Sequence, residues 1–312
     1  MNPDASTHPG QSLVLGTALW GWGIDKAEAF EMADLFIAGG GRLIDAATNY
    51  PINRNPEDFG KASAWIAEWL RLNPGSGLRV TAKIGSIDNT GGAATLLGPS
   101  FIGLSVSFLE AQFHDALAIV AVHWDNRESP AEIAGTLEAF REVRQRGFGI
   151  GFSGVKRPDL YAKLAPDLAG DWIIQVKENL RNCQARDHYS PHFPKAGYLA
   201  YGVNMGGLKL EGASGPGSSM SLRGIDIPAE ELARVRSFLE RHQTLSFAPS
   251  SMNELALLNA HFTPGISGVV MGPRNAEQLK QTMDYWGRLQ QPDALQEWEA
   301  FQSALTAGAQ DA

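Results

Sequence analysis

The sequence predicts a single-domain (β/α)8 barrel, the TIM barrel of the α/β class. Two observations lead there. Short apolar segments alternate with amphipathic ones from one end of the chain to the other, and eight of the apolar segments fit strands. Together they occupy about 250 residues, the length such a barrel needs. The expected strands are Leu13–Ala18, Leu43–Ala46, Leu78–Ile84, Leu117–His123, Phe148–Ser153, Trp172–Val176, Gly197–Tyr201 and Gly268–Met271.

Each element has a local reason. ALAIVAV (Ala116–Val122) is an unbroken apolar run, as expected of a parallel strand covered by helices on both faces. The first helix, Lys26–Ala38, stops at Gly39, Gly40 and Gly41, which supply the permissive backbone of a helix end. In Lys61–Arg71 the pairs Trp65/Trp69 and Ile66/Leu70 lie four apart on one face. Ala131–Arg146 carries its charges outward and ends at Gly147. Asn275–Leu289 opens on Asn275 with Gln278 three residues later, a capping-box spacing. Alternation alone also permits an open doubly wound sheet. The Gly- and Ser-rich stretch Asn204–Pro228 is too long for an ordinary connection and is expected to be a lid or binding loop. Residues 1–11 are expected to be a mobile tail, which leaves residues 12–312 as the barrel domain.

The chain has 312 residues, 44% of them hydrophobic, enough for a sizeable core. A net charge of −8 argues against a nucleic-acid partner, which selects a basic face. One cysteine, Cys183, excludes an intrachain disulfide and suits a reducing compartment. The polar start MNPDASTHPGQS carries no signal-peptide pattern, and no apolar stretch is long enough to span a bilayer. The expectation is a cytoplasmic protein with no membrane partner.

Four residues at the ends of successive strands carry the strongest chemical signal: Asp45 and Tyr50 in LIDAATNY, Lys83 in VTAKIG and His123 in VAVHWD. In a barrel those strand ends converge on the face where active sites sit. A Lys and a His in such apolar company are costly unless partnered. GIGFSG (Gly149–Gly154) fits the dinucleotide spacing G-x-G-x-x-G, but EAFREVRQRG before it reads as helix and the glycines lie inside a strand, against that reading. Cys183, Asp187, His188 and His192 invite a metal, yet Pro191 breaks the helical spacing and HExxH is missing; no metal is expected. His8, His114, His242 and His261 read as tail or helix-surface positions. Trp20, Trp22 and Trp124 flank the expected barrel mouth and are candidates for an apolar pocket wall. In PINRNP (Pro51–Pro56) the prolines stiffen a polar loop. Asn53, Arg54 and Asn55 are therefore expected beside the reacting group, where they suit a hydroxyl-rich or anionic substrate.

The chain resembles the aldo-keto reductases. LGTALWG, LIDAATNY, TAKIG, VHWD, GIGFSG, the Gln175 strand, LAYGVNMGGL and VVMGPRNAEQL fall in that family's order, from Leu13 to Leu289. It departs at Pro51, where the family usually has Gly, and at Gly154, where Asn is common. The resemblance implies reduction of an aldehyde or ketone with NAD(P)H, with Tyr50 as proton donor. Lys83 would lower the Tyr50 pKa, Asp45 would hold Lys83, and His123 would orient the carbonyl oxygen. It also implies that Ser153 and Gln175 meet the nicotinamide amide and that Tyr201 stacks on its ring. Gly16, Thr17, Gly202, Gly272, Arg274, Asn275 and Gln278 complete the cofactor residues. Arg274 suits the 2′-phosphate of NADP, so NADPH is expected ahead of NADH, with NAD as the alternative. Two other readings stay open at this point: a cofactor-binding sensor or partner subunit with little turnover, and a barrel isomerase using Lys83 and His123.

Overall fold

The structure is a computed structural model that describes residues 12–180, 182–205 and 229–310. The expected N-terminal tail with His8, and all but the first two residues of the Gly- and Ser-rich stretch, lie outside the described residues.

The strands are β1 (Ser12–Gly16), β2 (Leu43–Ala47), β3 (Arg79–Ile84), β4 (Leu117–Asp125), β5 (Gly149–Val155), β6 (Trp172–Asn179), the two-residue β7 (Asn182–Cys183), β8 (Gly197–Tyr201) and β9 (Ile266–Met271). The helices are α1 (Lys26–Ala38), α2 (Lys61–Leu72), α3 (Pro99–Phe113), α4 (Pro130–Gln145), α5 (Pro158–Leu164), α6 (Ala229–Arg241), α7 (Met252–Phe262), α8 (Ala276–Leu289) and α9 (Pro292–Gln310). Apart from β7, which lies antiparallel on β6, every strand pairs in parallel in the order β5-β4-β3-β2-β1-β9-β8-β6. Pairing of β5 with β6, Ile150 opposite Trp172, closes the ring. That closure overturns the open-sheet alternative and leaves the eight-stranded barrel.

The expected local signals act at the atoms. Asp25 caps α1 by accepting the Glu28 N–H, Ser129 caps α4 through the Glu132 N–H, and Asn275 caps α8 through the Gln278 N–H. The Trp69 indole donates to Asp34 at 2.9 Å and ties α2 to α1. The glycines of GIGFSG lie within β5. A Cβ on Gly151 would stand 2.7 Å from the Ile173 carbonyl oxygen, so this glycine lets β5 approach β6. It is a packing glycine, not part of a phosphate-binding turn.

One reading is corrected. His242 and His261 are buried, not on a helix surface. The last helix, α9, lays Trp298 over His242 (ring centroids 5.7 Å, 12° between planes) and over Phe262 (4.5 Å, 9°). His261 meets Trp286 edge-on, and burial pulls its pKa down to about 4. Among the described residues no helix is long and apolar enough to cross a membrane.

Candidate active site

The C-terminal ends of β2, β3 and β4 bring Asp45, Lys83 and His123 together, with Tyr50 on the turn that follows β2. Asp45 and Lys83 are 3% and 2% exposed, and the Lys83 ammonium is ion-paired to Asp45 Oδ2. The other carboxylate oxygen accepts from Gln175 Nε2 at 2.5 Å. Below the pair, the carbonyl of Asp45 accepts both the hydroxyl and the N–H of Thr17, at 2.9 and 3.1 Å. Asp45 is thus fixed from the residue after β1, from β3 and from β6 at once, and its charge is compensated on both oxygens, as a buried carboxylate requires.

Lys83 Nζ lies 5.0 Å from the centre of the Tyr50 ring. Burial alone would lower the Lys83 pKa, but Asp45 and Tyr50 outweigh it and hold the group above its ordinary 10.5. For Tyr50 the balance differs from the sequence expectation. Burial raises its pKa above 10.0, the Lys83 charge pulls it down without cancelling the rise, and Asp45 adds to it. Lys83 therefore moderates a raised pKa instead of setting a low one. The Tyr50 hydroxyl is protonated at neutral pH and can act as a donor.

His123 meets Tyr50 edge-on, with ring centroids 5.5 Å apart, and packs on Trp124 at 4.2 Å. Burial and then the Lys83 charge pull its pKa well below 6.5, so the ring is neutral. Its Nδ1 lies 3.0 Å from Ser86 Oγ, on the loop after β3.

The remaining expected residues fall on the same end of the barrel, with several differences. Ser153, near the end of β5, is buried, and its hydroxyl has no hydrogen-bond partner among the described residues. Gln175 spends its amide N–H on Asp45. Tyr201 ends β8 near enough to Tyr50 to add to its pKa rise, and Gly202 turns the chain at φ +63°. Gly16 ends β1 so close to β9 that a Cβ would stand 2.9 Å from the Met271 carbonyl oxygen. Gly272 opens onto space, with nothing within 4 Å of a Cβ built there. At the start of α8 the Gln278 side chain accepts the Arg274 N–H at 3.0 Å, while Glu28 of α1 accepts the Ala276 N–H at 3.0 Å. Side chains of this protein thus take three of the amides around that helix start, those of Arg274, Ala276 and Gln278.

Trp20 is fully buried in the core and offers no face to a pocket, which corrects its place in the expected wall; Trp22 and Trp124 are half-buried. Asn53 and Asn55 are also corrected. Both donate to Asp58 Oδ2, at 2.6 and 3.1 Å, and Asn89 donates to the Asn55 carbonyl at 2.6 Å. Their amides brace the loop and are not presented to a substrate. Arg54 is different: it is exposed, its backbone is left-handed at φ +62°, its N–H donates to the Asn89 carbonyl at 3.2 Å, and its guanidinium makes no hydrogen bond or ion pair among the described residues.

Sequence reasoning missed Ser86, Asn89 and the anchoring roles of Thr17 and Gln175. One signal for Ser86 is legible afterwards. Parallel pairing of Ile84 with Val122 carries the residues just past Lys83 toward His123. Among the described residues no three His, Cys, Asp or Glu side chains gather as a metal site would require.

The model of the aldo/keto reductase family matches residues 12–174. Among solved structures, the glycerol dehydrogenase AKR11B4 from Gluconobacter oxydans is similar in fold, with a TM-score of 0.69 at 19% identity over 95% of this chain and 91% of that one. No curated protein sequence gives a significant match.

Proposed function

Because the chain belongs to the aldo/keto reductase family and is thus an oxidoreductase of carbonyl and alcohol groups, we propose that it reduces a small polar aldehyde or ketone with NAD(P)H, Tyr50 donating the proton. The observation that carries this reading is the buried Asp45–Lys83 pair set against Tyr50, with neutral His123 at the edge of the same ring. A bound nicotinamide supplies the hydride. As charge develops on the substrate oxygen, the Tyr50 hydroxyl gives up its proton, and the Lys83 ammonium stabilises the phenolate left behind. Asp45 keeps Lys83 charged and in place. His123 orients the oxygen.

The chain's donors suit such a cofactor. The Ser153 hydroxyl, without a hydrogen-bond partner among the described residues, fits a carboxamide, Tyr201 offers an aromatic face, and Gly272 leaves room beside α8. Arg274 reads the 2′-phosphate of NADPH, while the Glu28 carboxylate on the Ala276 amide opposes it and keeps the preference modest. Arg274→Ala is expected to weaken NADPH binding by about 1–3 kcal/mol and leave NADH nearly unchanged. Fluorescence titration of both cofactors checks this, and equal losses would remove Arg274 from phosphate recognition.

The substrate assignment rests on Arg54. A left-handed backbone at a non-glycine residue costs about 1 kcal/mol or more and persists only where the surroundings impose it; here the braced loop does. An exposed guanidinium, with no partner among the described residues and on that rigid support, suits a carboxylated or hydroxyl-rich carbonyl compound. The experiment is a panel of polar and apolar carbonyls with each cofactor. We expect polar substrates to be preferred, and Arg54→Ala to lower their kcat/KM about tenfold while sparing apolar ones. A strong preference for apolar aldehydes would overturn the substrate class. No turnover with any member of the panel would overturn the reductase reading.

A further inference from the structure

We propose that Ser86 is a positioning residue that holds His123 as the Nε2–H tautomer, so that the imidazole presents a donor to the substrate oxygen. The inference rests on the reductase reading above but concerns an arrangement present before any substrate arrives.

A neutral imidazole has one donor nitrogen and one acceptor, and the partner of one nitrogen decides which is which. Ser86 Oγ and His123 Nδ1 are 3.0 Å apart and both residues are buried. Two arrangements fit that distance. In the first, Nδ1–H donates to the hydroxyl. The serine proton then needs another acceptor, and Oγ has no other hydrogen-bond partner among the described residues, so a buried donor goes unmade. In the second, the hydroxyl donates to Nδ1 and its proton is used; the donor left over is Nε2–H, on a ring that is 8% exposed at the strand end, where water or substrate can meet it. An unmade buried donor is the costlier state, so the second arrangement wins. It places the ring proton on Nε2.

The consequence for the reaction is direct. With Nε2–H, the imidazole and the Tyr50 hydroxyl are two donors available to one carbonyl oxygen. With the opposite tautomer, a nitrogen lone pair would face the oxygen lone pairs and repel the developing charge. The surroundings hold Ser86 and the ring in register. Ser86 bridges Thr95 across its loop, and the Leu96 N–H donates to the Gly85 carbonyl at 2.8 Å. Gly85 adopts φ +105°, and a Cβ there would stand 2.6 Å from Leu97 Cδ2, so the turn that delivers Ser86 needs glycine. Trp124 lies against one side of the imidazole and Tyr50 meets it edge-on at 79°.

The test reads the tautomer and the kinetics separately. In 15N-labelled free protein at pH 7, the His123 Nδ1 resonance is expected in the unprotonated range and Nε2 in the protonated range. Ser86→Ala is expected to move both toward a mixture, to lower kcat about tenfold and to leave KM within about threefold. Ser86→Thr, which keeps the hydroxyl, is expected to restore the spectrum and most of kcat. A protonated Nδ1 in the wild-type spectrum overturns the proposal, and so does a Ser86→Ala protein with unchanged tautomer and rate. A wild-type spectrum as expected, in a protein that reduces no carbonyl, upholds the tautomer assignment and overturns the reductase reading instead.

Discussion

Replacing Tyr50 by phenylalanine is expected to lower carbonyl-reducing turnover by about 10²–10⁴, the usual contribution of a positioned acid, while the barrel stays folded. The change removes one oxygen and almost no volume. The ring keeps its edge-on contact with His123 at 5.5 Å and its place 5.0 Å from the Lys83 nitrogen. Cofactor affinity should remain within a few-fold, because the proton donor matters in the transition state and little in the ground state. The pH profile carries the same signature. Burial raises the Tyr50 pKa above 10.0 against the pull of Lys83, so the donor stays protonated throughout the neutral range. Wild-type reduction should therefore be limited by loss of this proton only above pH 10, and that alkaline fall should vanish from the residual activity of Tyr50→Phe. Near-normal turnover in the variant would remove Tyr50 from the chemistry.

Lys83→Met should damage both stability and activity, for separable reasons. The substitution keeps the length of the side chain and deletes the cation. Asp45 is then a carboxylate that is 3% exposed, with only the Gln175 amide, among the described residues, on its side-chain oxygens. Breaking a buried pair by removing one partner typically costs about 3–5 kcal/mol, readable as a shift of the urea midpoint with unchanged slope. The sign of the pH effect follows from the raised Lys83 pKa. The pair's contribution in wild type is complete below pH 10.5 and is lost as pH rises through the higher folded-state value. In the variant it is missing at every pH. The double variant Asp45→Asn with Lys83→Met should recover part of the stability, since no buried charge is left over, but none of the turnover. Recovery of activity in the double variant would show that the pair only supports the fold.

The barrel is legible in the sequence because each strand is a short apolar run and each helix start or stop carries its own residue. Asn275 with Gln278, and the glycines after Ala38 and Gln145, are local signals, and local signals survive translation into structure. The four residues of the site are legible for a related reason: polar groups placed at apolar strand ends need an explanation. What stays hidden depends on distant parts of the chain. His242 and His261 look like surface histidines until Trp298 of α9 lies over one and Trp286 of α8 meets the other edge-on. Asn53 and Asn55 look like substrate ligands until Asp58 and Asn89 take up their amides. The Tyr50 pKa inverts because the Lys83 charge is visible in sequence while the depth of burial is not.

The ring closure has a consequence in time. Ser12 of β1 pairs with Gly268 of β9, about 250 residues later. At roughly 5–20 residues per second, a ribosome needs about 12–50 s to make the strand that covers the outer edge of β1. Over that interval the growing chain carries an unpaired apolar strand edge, the kind of surface on which chains join one another. Ser12 and Gly16, at the two ends of β1, are the parts of the strand least suited to such pairing. β9 thus relieves the hazard that β1 creates, and an edge-free barrel waits on synthesis of everything between the two strands.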